Sequence, residues 1–260
     1  MNPAPSPEIR NFVTNLNCFL FNAQGLINKW HFLEIFIQEH DPDLIFVTET
    51  WSKDSFAFNL PGYVSIRKDR ENRERGGVVA FVRSNLKTIF YAPSQKYEGE
   101  SITFDLHLGS AVICFALFYR PNSNFDQSLM AEIEEILQRR GTTTVILGDF
   151  NLPEIDWNNY DWPPRSDFFM DVIQDHFLTQ VVFEPTHIHG NILDLILTTD
   201  SDIVTHTDIL ENFGSSDHFV VNFGIRITKQ RDPPPVSTFN YWKADWDLYR
   251  TTLQLQDWDS

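Results

Sequence analysis

The sequence predicts an α/β fold in which two β-sheets pack face to face and helices cover their outer surfaces. Short apolar runs bounded by turn residues recur along the chain, and segments with helical spacing lie between several of them. Of the 260 residues, 42% are hydrophobic and 14% are aromatic, which suffices for one large core. These proportions exclude an intrinsically disordered chain.

In the first half of the chain, apolar runs without a helical period predict strands at residues 16–22, 44–49, 63–69, 77–83, 101–108 and 111–120. A helix is predicted at 29–40, because Trp30, Leu33 and Ile37 recur at spacings of three and four. Gly109 and Ser110 separate the last two strands and indicate a hairpin.

The second half continues the same alternation. Residues 127–140 form a predicted helix whose apolar stripe contains Leu129, Ile133, Ile136 and Leu137. A strand follows at 143–150. Ser166 is predicted to cap a third helix that continues to about residue 177. Apolar runs predict the last two strands at 192–198 and 219–225.

The chain divides into three predicted regions. Residues 1–14 form a flexible lead, residues 15–228 form the globular domain, and residues 229–260 form a Pro-rich linker followed by a short aromatic helix. The linker contains three consecutive prolines, which favour an extended spacer. The helix either docks on the globular domain or connects to another domain.

Charge and cysteine content limit the partners and the compartment. With 36 acidic and 20 basic residues, the net charge is −16, so the chain repels polyanions at long range. It therefore either avoids nucleic acid or binds it through a local patch and a bound metal ion. Cys18 and Cys114 lie in apolar runs and are predicted to be buried free thiols. With no apolar run typical of a membrane span or signal peptide, we expect an intracellular protein without membrane partners.

Polar residues at the predicted strand ends are candidates for chemistry, although a single Asp or Asn there is more often a turn residue. They are Asn22, Glu49, Asp149, Asn151, Asp194, Asp217 and His218. Asp194 lies inside an apolar run, so it needs a partner, and His218 is the obvious imidazole. Glu49 and Asp217 would suit Mg²⁺, which prefers oxygen ligands. Asp149 could orient a water while the Asn151 amide donates to a phosphate oxygen.

In this order, the motifs FNAQGL, DLIFVTETW, GYVSIRKDR, RGGVVAFVR, FYRP, LGDFNLP, NILDLILT and SSDHF resemble the endonuclease/exonuclease/phosphatase family. The chain is most similar to the apurinic-type endonuclease domain of non-LTR retrotransposon polyproteins, over roughly residues 15–226. The resemblance implies a four-layer, DNase I-like α/β sandwich with its site at one edge. It also implies hydrolysis by in-line attack on a phosphodiester, leaving a 5′-phosphate and a 3′-hydroxyl.

The resemblance also implies roles for the strand-end residues. Glu49 would be the main ligand of Mg²⁺, for which Mn²⁺ could substitute, with Asn22 and Asp217 near the ion. Asp149 would orient or deprotonate the attacking water. The scissile phosphate would be held by Asn151 and Tyr119, and His218, oriented by Asp194, would stabilise charge on it. Whether Asp149 or His218 is the base stays open.

One position departs from the pattern of the family. Many members carry an acid two residues after the first Asn, whereas this chain has Gln24. The departure weakens the case for a second carboxylate at this edge and favours a single principal metal ion.

Two segments are candidates for DNA contact. Residues 67–75 (RKDRENRER) carry five bases and three acids, including Arg67, Arg70, Arg73 and Arg75. They form either a phosphate-contacting strip or a solvated loop. His187 and His189 lie just before the Asp194 strand, and they either approach DNA or are simply exposed polar residues.

These observations lead to a main hypothesis and two alternatives. The main hypothesis is a Mg²⁺-dependent endonuclease that nicks target DNA for element insertion, with access to the nucleus and a possible fused or neighbouring reverse transcriptase. The first alternative is a phosphatase or phosphodiesterase of the same fold that acts on small or lipid phosphoesters. The second is a catalytically idle module that binds a partner through its aromatic tail.

Overall fold

Two mixed β-sheets form the centre of the described chain. The structure is a computed structural model that describes residues 12–52, 56–70, 75–91, 99–109, 111–121, 127–139, 141–229 and 245–255. The first sheet contains β1 (Phe12–Asn22), β2 (Leu44–Thr48), β3 (Tyr63–Lys68), β4 (Val78–Arg83), β11 (Val204–Asn212) and β12 (Phe219–Lys229). The second contains β5 (Lys87–Phe90), β6 (Glu100–Leu108), β7 (Ala111–Tyr119), β8 (Thr143–Asp149), β9 (Thr179–Gln180) and β10 (Asp194–Thr198).

Each sheet has one parallel pair of strands at its centre. The strand orders are β11-β12-β1-β2-β4-β3 and β5-β6-β7-β8-β10-β9. β1 and β2 are parallel and are connected through helix α1 (Trp30–His40). β7 and β8 are also parallel and are connected through helix α2 (Gln127–Leu137). A third helix, α3 (Asp167–Asp175), precedes β9.

The alternation of side chains along β1 explains the layers. Cys18 and Leu20 belong to the large core that includes both sheets, whereas Phe19 and Phe21 point to the other face and pack in a second cluster that contains Leu33 of α1. Because both faces of the strand are covered, the run is apolar without a break. Helix, sheet, sheet and helix therefore stack as the predicted four-layer sandwich.

Aromatic side chains fill the space between the two sheets. Phe46 of β2 lies with its ring centroid 5.4 Å from Phe115 of β7 and 6.2 Å from both Phe104 and Phe223. All four rings are fully buried. This packing holds the two sheets together and fixes how their ends meet.

The nine predicted strands and three predicted helices within the globular domain are all present. Three further strands, β5, β9 and β11, were not predicted. β5, β9 and β11 lie at sheet edges, where one side of the backbone is unpaired and fewer residues are buried, so no long apolar run marks them. β9 has only two residues.

The predicted capping role of Ser166 is wrong. A 3₁₀ turn, Pro164–Ser166, runs directly into α3, and the side chain of Ser166 makes no capping hydrogen bond. Its hydroxyl donates instead to Oε1 of Glu154, at 3.2 Å. Because the 3₁₀ turn continues directly into α3, the Ser166 side chain bonds to Glu154 rather than to the first N–H groups of the helix.

Beyond the globular domain, the predicted C-terminal helix is present as α4 (Trp246–Gln254). A carboxylate oxygen of Asp245 accepts a hydrogen bond from the backbone N–H of Leu248 at 2.9 Å and caps this helix. The triproline segment and residues 1–11 lie outside the described residues, so the predicted domain boundaries stay predictions.

Two other predictions concern the cysteines and membrane-spanning helices. Cys18 and Cys114 are buried free cysteines, as predicted. Within the described ranges, no helix combines the length and apolar character that crossing a membrane requires.

Candidate active site

Polar residues at the strand ends converge at one end of both sheets. Asn22 and Thr48 are paired neighbours at the ends of the parallel strands β1 and β2, and Tyr119 and Asp149 occupy the same places on β7 and β8. Asp194, the first residue of β10, lies opposite Asp149. The Nδ2 group of Asn22 donates to Oδ2 of Asp149 at 2.9 Å, so the first sheet contacts the second at this edge.

Glu49 follows β2 and is held by three donors. Its Oε1 accepts from Asn22 Nδ2 at 3.0 Å and from the Tyr119 hydroxyl at 2.9 Å. Its Oε2 accepts from Trp51 Nε1 at 2.9 Å. Burial and the neighbouring Glu49 carboxylate raise the pKa of Tyr119, so the hydroxyl keeps its proton and stays a donor.

Asp149 is fully buried at the end of β8. Its Oδ1 accepts from the backbone N–H of Asn151 at 3.1 Å, and its Oδ2 also accepts from Asn151 Nδ2 at 3.2 Å. Burial and the carboxylate of Asp194 raise its pKa to about 8. Gly148 has a φ of 140°, and a Cβ there would collide with the carbonyl oxygen of Phe118, so the motif needs glycine before this aspartate.

The pair predicted between Asp194 and His218 is present. Nδ1 of His218 lies 2.7 Å from Oδ2 of Asp194, and both side chains are buried. Nε2 of His218 lies on the other side, 3.9 Å from Oδ2 of Asp149. Burial by itself would lower the pKa of His218, but the adjacent carboxylates outweigh it and raise the pKa. The imidazole therefore lies between two buried acids.

Asp217 forms the solvent-facing rim of this edge, with 40% of its side chain exposed. Its Oδ1 accepts from Gln24 Nε2 at 2.7 Å. Nε2 of His187 lies 3.5 Å from its Oδ2, and Nε2 of His218 lies 3.8 Å from its Oδ1. His189 is beside this group, with its ring centroid 5.0 Å from that of His187. The predicted loop histidines therefore reach the same edge as the acids.

Strained backbone is concentrated around these side chains. Gln24, Glu49, Trp51 and Asn151 all have φ between 43° and 52°, in the left-handed region that non-glycine residues rarely adopt. Each such residue costs roughly 1–3 kcal/mol and persists only where its surroundings fix it. The contacts of Glu49 and Asp149 provide that support, so the site is built into the framework of both sheets.

Two arginines of the predicted basic strip, Arg67 and Arg70, pair with acids of the chain, whereas Arg75 is exposed. Arg67 forms an ion pair with Asp69 at 2.6 Å. Arg70 pairs with the buried Glu100. The guanidinium of Arg75 lies 5.2 Å from the ring centroid of Trp51. Arg73 lies outside the described residues.

A cleft of about 360 Å³ opens on the site. Its lining is mostly polar and includes Gln24, Glu49, Tyr119, Asn151, His187, His189, Asp217 and His218. Asp149 and Asp194 lie behind these residues and are closed to solvent. The cleft thus has acidic and imidazole groups in its lining and two fully buried acids beneath them.

Three residues at the site carry no predicted role. Trp51 lies two residues after Glu49 in the motif VTETW, and Ser216 directly precedes Asp217. The Ser216 hydroxyl donates to the Asn22 carbonyl oxygen at 2.7 Å and ties the β12 loop to β1. Arg120 donates from Nη1 to the carbonyl oxygens of Phe150 and Asn151, each at 3.1 Å. Their motif positions were visible in the sequence, but these contacts were not.

The order of these motifs and their convergence at one edge agree with the comparison to family models. The model of the endonuclease/exonuclease/phosphatase family matches residues 15–218. The chain belongs to the endonuclease/exonuclease/phosphatase family.

Two curated relatives come from mobile elements. The RNA-directed DNA polymerase from mobile element jockey of Drosophila melanogaster is 24% identical over 249 residues, which cover 90% of this chain and 26% of the relative. The corresponding protein of Drosophila funebris is 23% identical over 155 residues, covering 59% of this chain and 17% of the relative. The chain thus spans about a quarter or less of the length of these relatives.

Solved structures share the family fold. The endonuclease domain of TRAS1, a telomere-specific non-LTR retrotransposon, has a TM-score of 0.70 at 17% identity, covering 83% of this chain and all of that domain. The AP endonuclease LMAP from Leishmania major has a TM-score of 0.65, also at 17% identity, covering 82% of this chain and 88% of the other.

The residues at the rim fit a hard cation. Carboxylate oxygens are the ligands that Mg²⁺ prefers, and Glu49 and Asp217 both line the cleft. A carboxylate oxygen can accept about two hydrogen bonds. Oε1 of Glu49 accepts two and Oε2 accepts one among the described residues, so Oε2 keeps a lone pair for an ion. The oxygen of the Asn22 side chain accepts from the backbone N–H of Gln24 at 3.0 Å.

Proposed function

We propose that this chain is a metal-dependent endonuclease module that nicks DNA at a phosphodiester bond, as part of retrotransposon insertion. The observation that carries the proposal is the meeting of Glu49, Asp149 and the Asp194–His218 pair beside one cleft. Similarity to retrotransposon relatives supports DNA as the substrate and a reverse transcriptase as a fused or neighbouring partner.

The charge of the cleft supports a cation in the reaction. Glu49, Asp149, Asp194 and Asp217 gather at one edge of a chain that already carries −16, so a phosphate would be repelled without a counterion. Glu49 and Asp217, with Asn22 nearby, would hold Mg²⁺ or Mn²⁺. Such an ion acts as a Lewis acid on the phosphate oxygens when bound.

The residues around the ion have separate roles in the proposed hydrolysis. A water would attack phosphorus in line, the bond from phosphorus to the 3′-oxygen would break, and that oxygen would take a proton from solvent and leave as a hydroxyl. Asp149, next to the Asn151 amide, would orient the water, and either Asp149 or His218 would take its proton. Asn151 and Tyr119 would hold the phosphate, and, where Asp149 is the base, protonated His218 would stabilise charge on its oxygens.

DNA would approach along the rim of the cleft. His187 and His189 line it, and an imidazole N–H is a suitable donor to a backbone phosphate. This role would require access to the nucleus.

The net charge favours a second candidate, hydrolysis of small phosphoesters, because a compact substrate is repelled less than a long polyanion.

The experiment is nicking of supercoiled plasmid by the purified chain with Mg²⁺. We expect conversion to the open circle, abolished by a chelator and lost in Asp149→Asn. Asp171→Asn, an exposed carboxylate on α3, is the matched control and should nick like the wild type.

Small phosphoesters and lipid phosphoesters are tested in parallel. Turnover of these with no nicking over a range of salt and metal would replace the endonuclease proposal by the second candidate. No turnover of any substrate, with a folded chain, would leave only a binding role.

A further inference from the structure

Two aromatic donors hold Glu49, and each has an arginine stacked on it. The hydroxyl of Tyr119 and Nε1 of Trp51 each donate to a different oxygen of Glu49, both at 2.9 Å. The guanidinium of Arg70 lies 5.5 Å from the ring centroid of Tyr119, and that of Arg75 lies 5.2 Å from that of Trp51. Both distances are within the range of cation–π attraction.

Arg70, the more buried of the two arginines, is held by an ion pair within the protein. Arg70 forms an ion pair with Glu100, and only 18% and 10% of their side chains are exposed. Glu100 of β6 lies directly opposite Tyr119 of β7, so the pair and the ring share one face of the sheet. A Cβ at Gly76 would lie 2.5 Å from the Arg70 guanidinium and from Glu100, so glycine leaves the space that the pair occupies.

Arg75, the exposed arginine, is positioned by backbone hydrogen bonds of the two residues that follow it. Arg75 is exposed and has a φ of 73°. The carbonyl oxygen of Gly76 accepts from the backbone N–H of Trp51 at 2.8 Å, and that of Gly77 accepts from Thr50 at 3.1 Å. The loop that carries Arg75 is therefore tied to the segment that carries Glu49, which places the guanidinium over the indole.

We propose that Arg70 and Arg75 are positioning residues that orient the two aromatic donors of Glu49, and so set the affinity of the cation site, rather than DNA contacts. This inference rests on the proposed role of Glu49 as a cation ligand. A cation above each ring fixes the ring plane and strengthens the polar hydrogen at its edge. Removing a residue that hydrogen-bonds to a metal ligand commonly changes the metal affinity by about 10–100-fold. We therefore expect a smaller effect from removing a residue that acts on the ligand through such a partner.

The primary test is the dissociation constant of Mn²⁺, measured by electron paramagnetic resonance on the metal-free full chain. We expect Arg75→Gln to raise it about 2- to 5-fold, the size of an exposed cation–π contact. Loss of a positive charge near the site would by itself lower the dissociation constant, so a rise reports the lost orientation of the indole. Arg70→Lys keeps a charge for Glu100 but loses the planar stack, and should raise it by roughly 3- to 10-fold. The control is Arg83→Gln, which removes an arginine stacked on Tyr63 and bonded to Asp41.

A double-substitution cycle separates positioning from general destabilisation. Trp51→Phe keeps a ring but removes the donor to Glu49. In that background Arg75→Gln should no longer raise the dissociation constant of Mn²⁺, because the arginine acts through the indole N–H. An undiminished effect in the Trp51→Phe background would overturn the proposed route.

Measurements of DNA binding test the alternative that the two arginines contact phosphates. In an Asp149→Asn background with Mg²⁺, the slope of log affinity against log salt should be the same with and without each arginine. If the arginines contact phosphates, each loss would reduce the slope by about 0.9, and with unchanged Mn²⁺ affinity that result would overturn the inference. A wild type that neither binds Mn²⁺ nor nicks plasmid contradicts the proposed function itself, whereas active wild type with unaltered arginine variants contradicts only this inference.

Discussion

The two sheets bring different kinds of side chain to the cleft. The first sheet supplies Glu49 and Asp217, which face the solvent side, and Asp217 has 40% of its side chain exposed. The second supplies Asp149 and Asp194, which are completely buried. Acids at the rim can exchange water for an ion at little cost, whereas acids in the interior are costly to ionise and must share protons or partners.

Three side chains connect these halves, and one is Tyr119 of the second sheet, whose hydroxyl donates to Glu49. Asn22 of the first sheet donates to both Glu49 and Asp149. His218, just before β12 of the first sheet, reaches Asp194 of the second. The proposed cation site and the proposed proton-transfer site are therefore joined through Asn22, Tyr119 and His218.

The largest expected effect separates these two roles. Glu49→Gln and Asp149→Asn should each lower the nicking rate by about 10²–10⁴-fold, the usual contribution of a catalytic acid–base group or its equivalent in charge stabilisation. Only Glu49→Gln should also weaken Mn²⁺ binding. Single-turnover nicking and direct Mn²⁺ titration test this, and equal loss of Mn²⁺ affinity in both variants would contradict the division between the sheets.

A smaller effect concerns stability. Asp194→Asn breaks a buried ion pair and should lower the free energy of unfolding by about 3–5 kcal/mol, whereas Asp217→Asn at the rim should change it by about 1 kcal/mol or less. Urea denaturation of the metal-free chain in a chelator measures both. Comparable losses for the two variants would mean that the rim and the interior are not distinct in stability.

The same pair predicts the direction of the pH dependence. Because the pKa of His218 rises from 6.5 to about 10 on folding, its stabilisation is fully present below pH 6.5 and is lost as the pH rises towards 10. The raised pKa of Asp149 acts in the same direction. The stability of the metal-free wild type should therefore fall between pH 7 and 10, and fall less steeply in Asp194→Asn.

The smallest expected effect is at Gln24. Gln24→Glu would place a carboxylate beside Asp217 in place of the amide that donates to it at 2.7 Å. We expect the metal-free variant to melt at a lower temperature, because like charges now adjoin, and Mg²⁺ to restore more stability than in the wild type. Gln38→Glu, on the exposed face of α1, is the control. Equal Mg²⁺ shifts in all three proteins would show that Gln24 lies too far from the ion.

The sequence was most informative where burial is complete. Strands such as β2, whose five residues are all buried, are uninterrupted apolar runs and could be predicted. The edge strand β11 mixes polar and apolar residues and could not. The Asp194–His218 pair was predictable because a carboxylate in an apolar run requires a partner.

Contacts that depend on how loops meet could not be predicted. Gln24 and Asp217 are 193 residues apart, and no local pattern indicates that their side chains bond. The RKDRENRER segment read as a surface strip because its charge is visible in the sequence. The inward pairing of Arg70 depends on Glu100, which comes from another strand.

The parallel pair at the centre of each sheet has a further consequence. β1-α1-β2 and β7-α2-β8 are two strand–helix–strand units of the same topology. Asn22 and Tyr119 end the first strand of each unit, Thr48 and Asp149 end the second at paired positions, and Glu49 directly follows Thr48. The cleft is thus a pseudo-symmetric junction of two equivalent units, although the sequence contains no visible internal repeat. One topological rule places both acids, and unequal burial then gives them different chemistry.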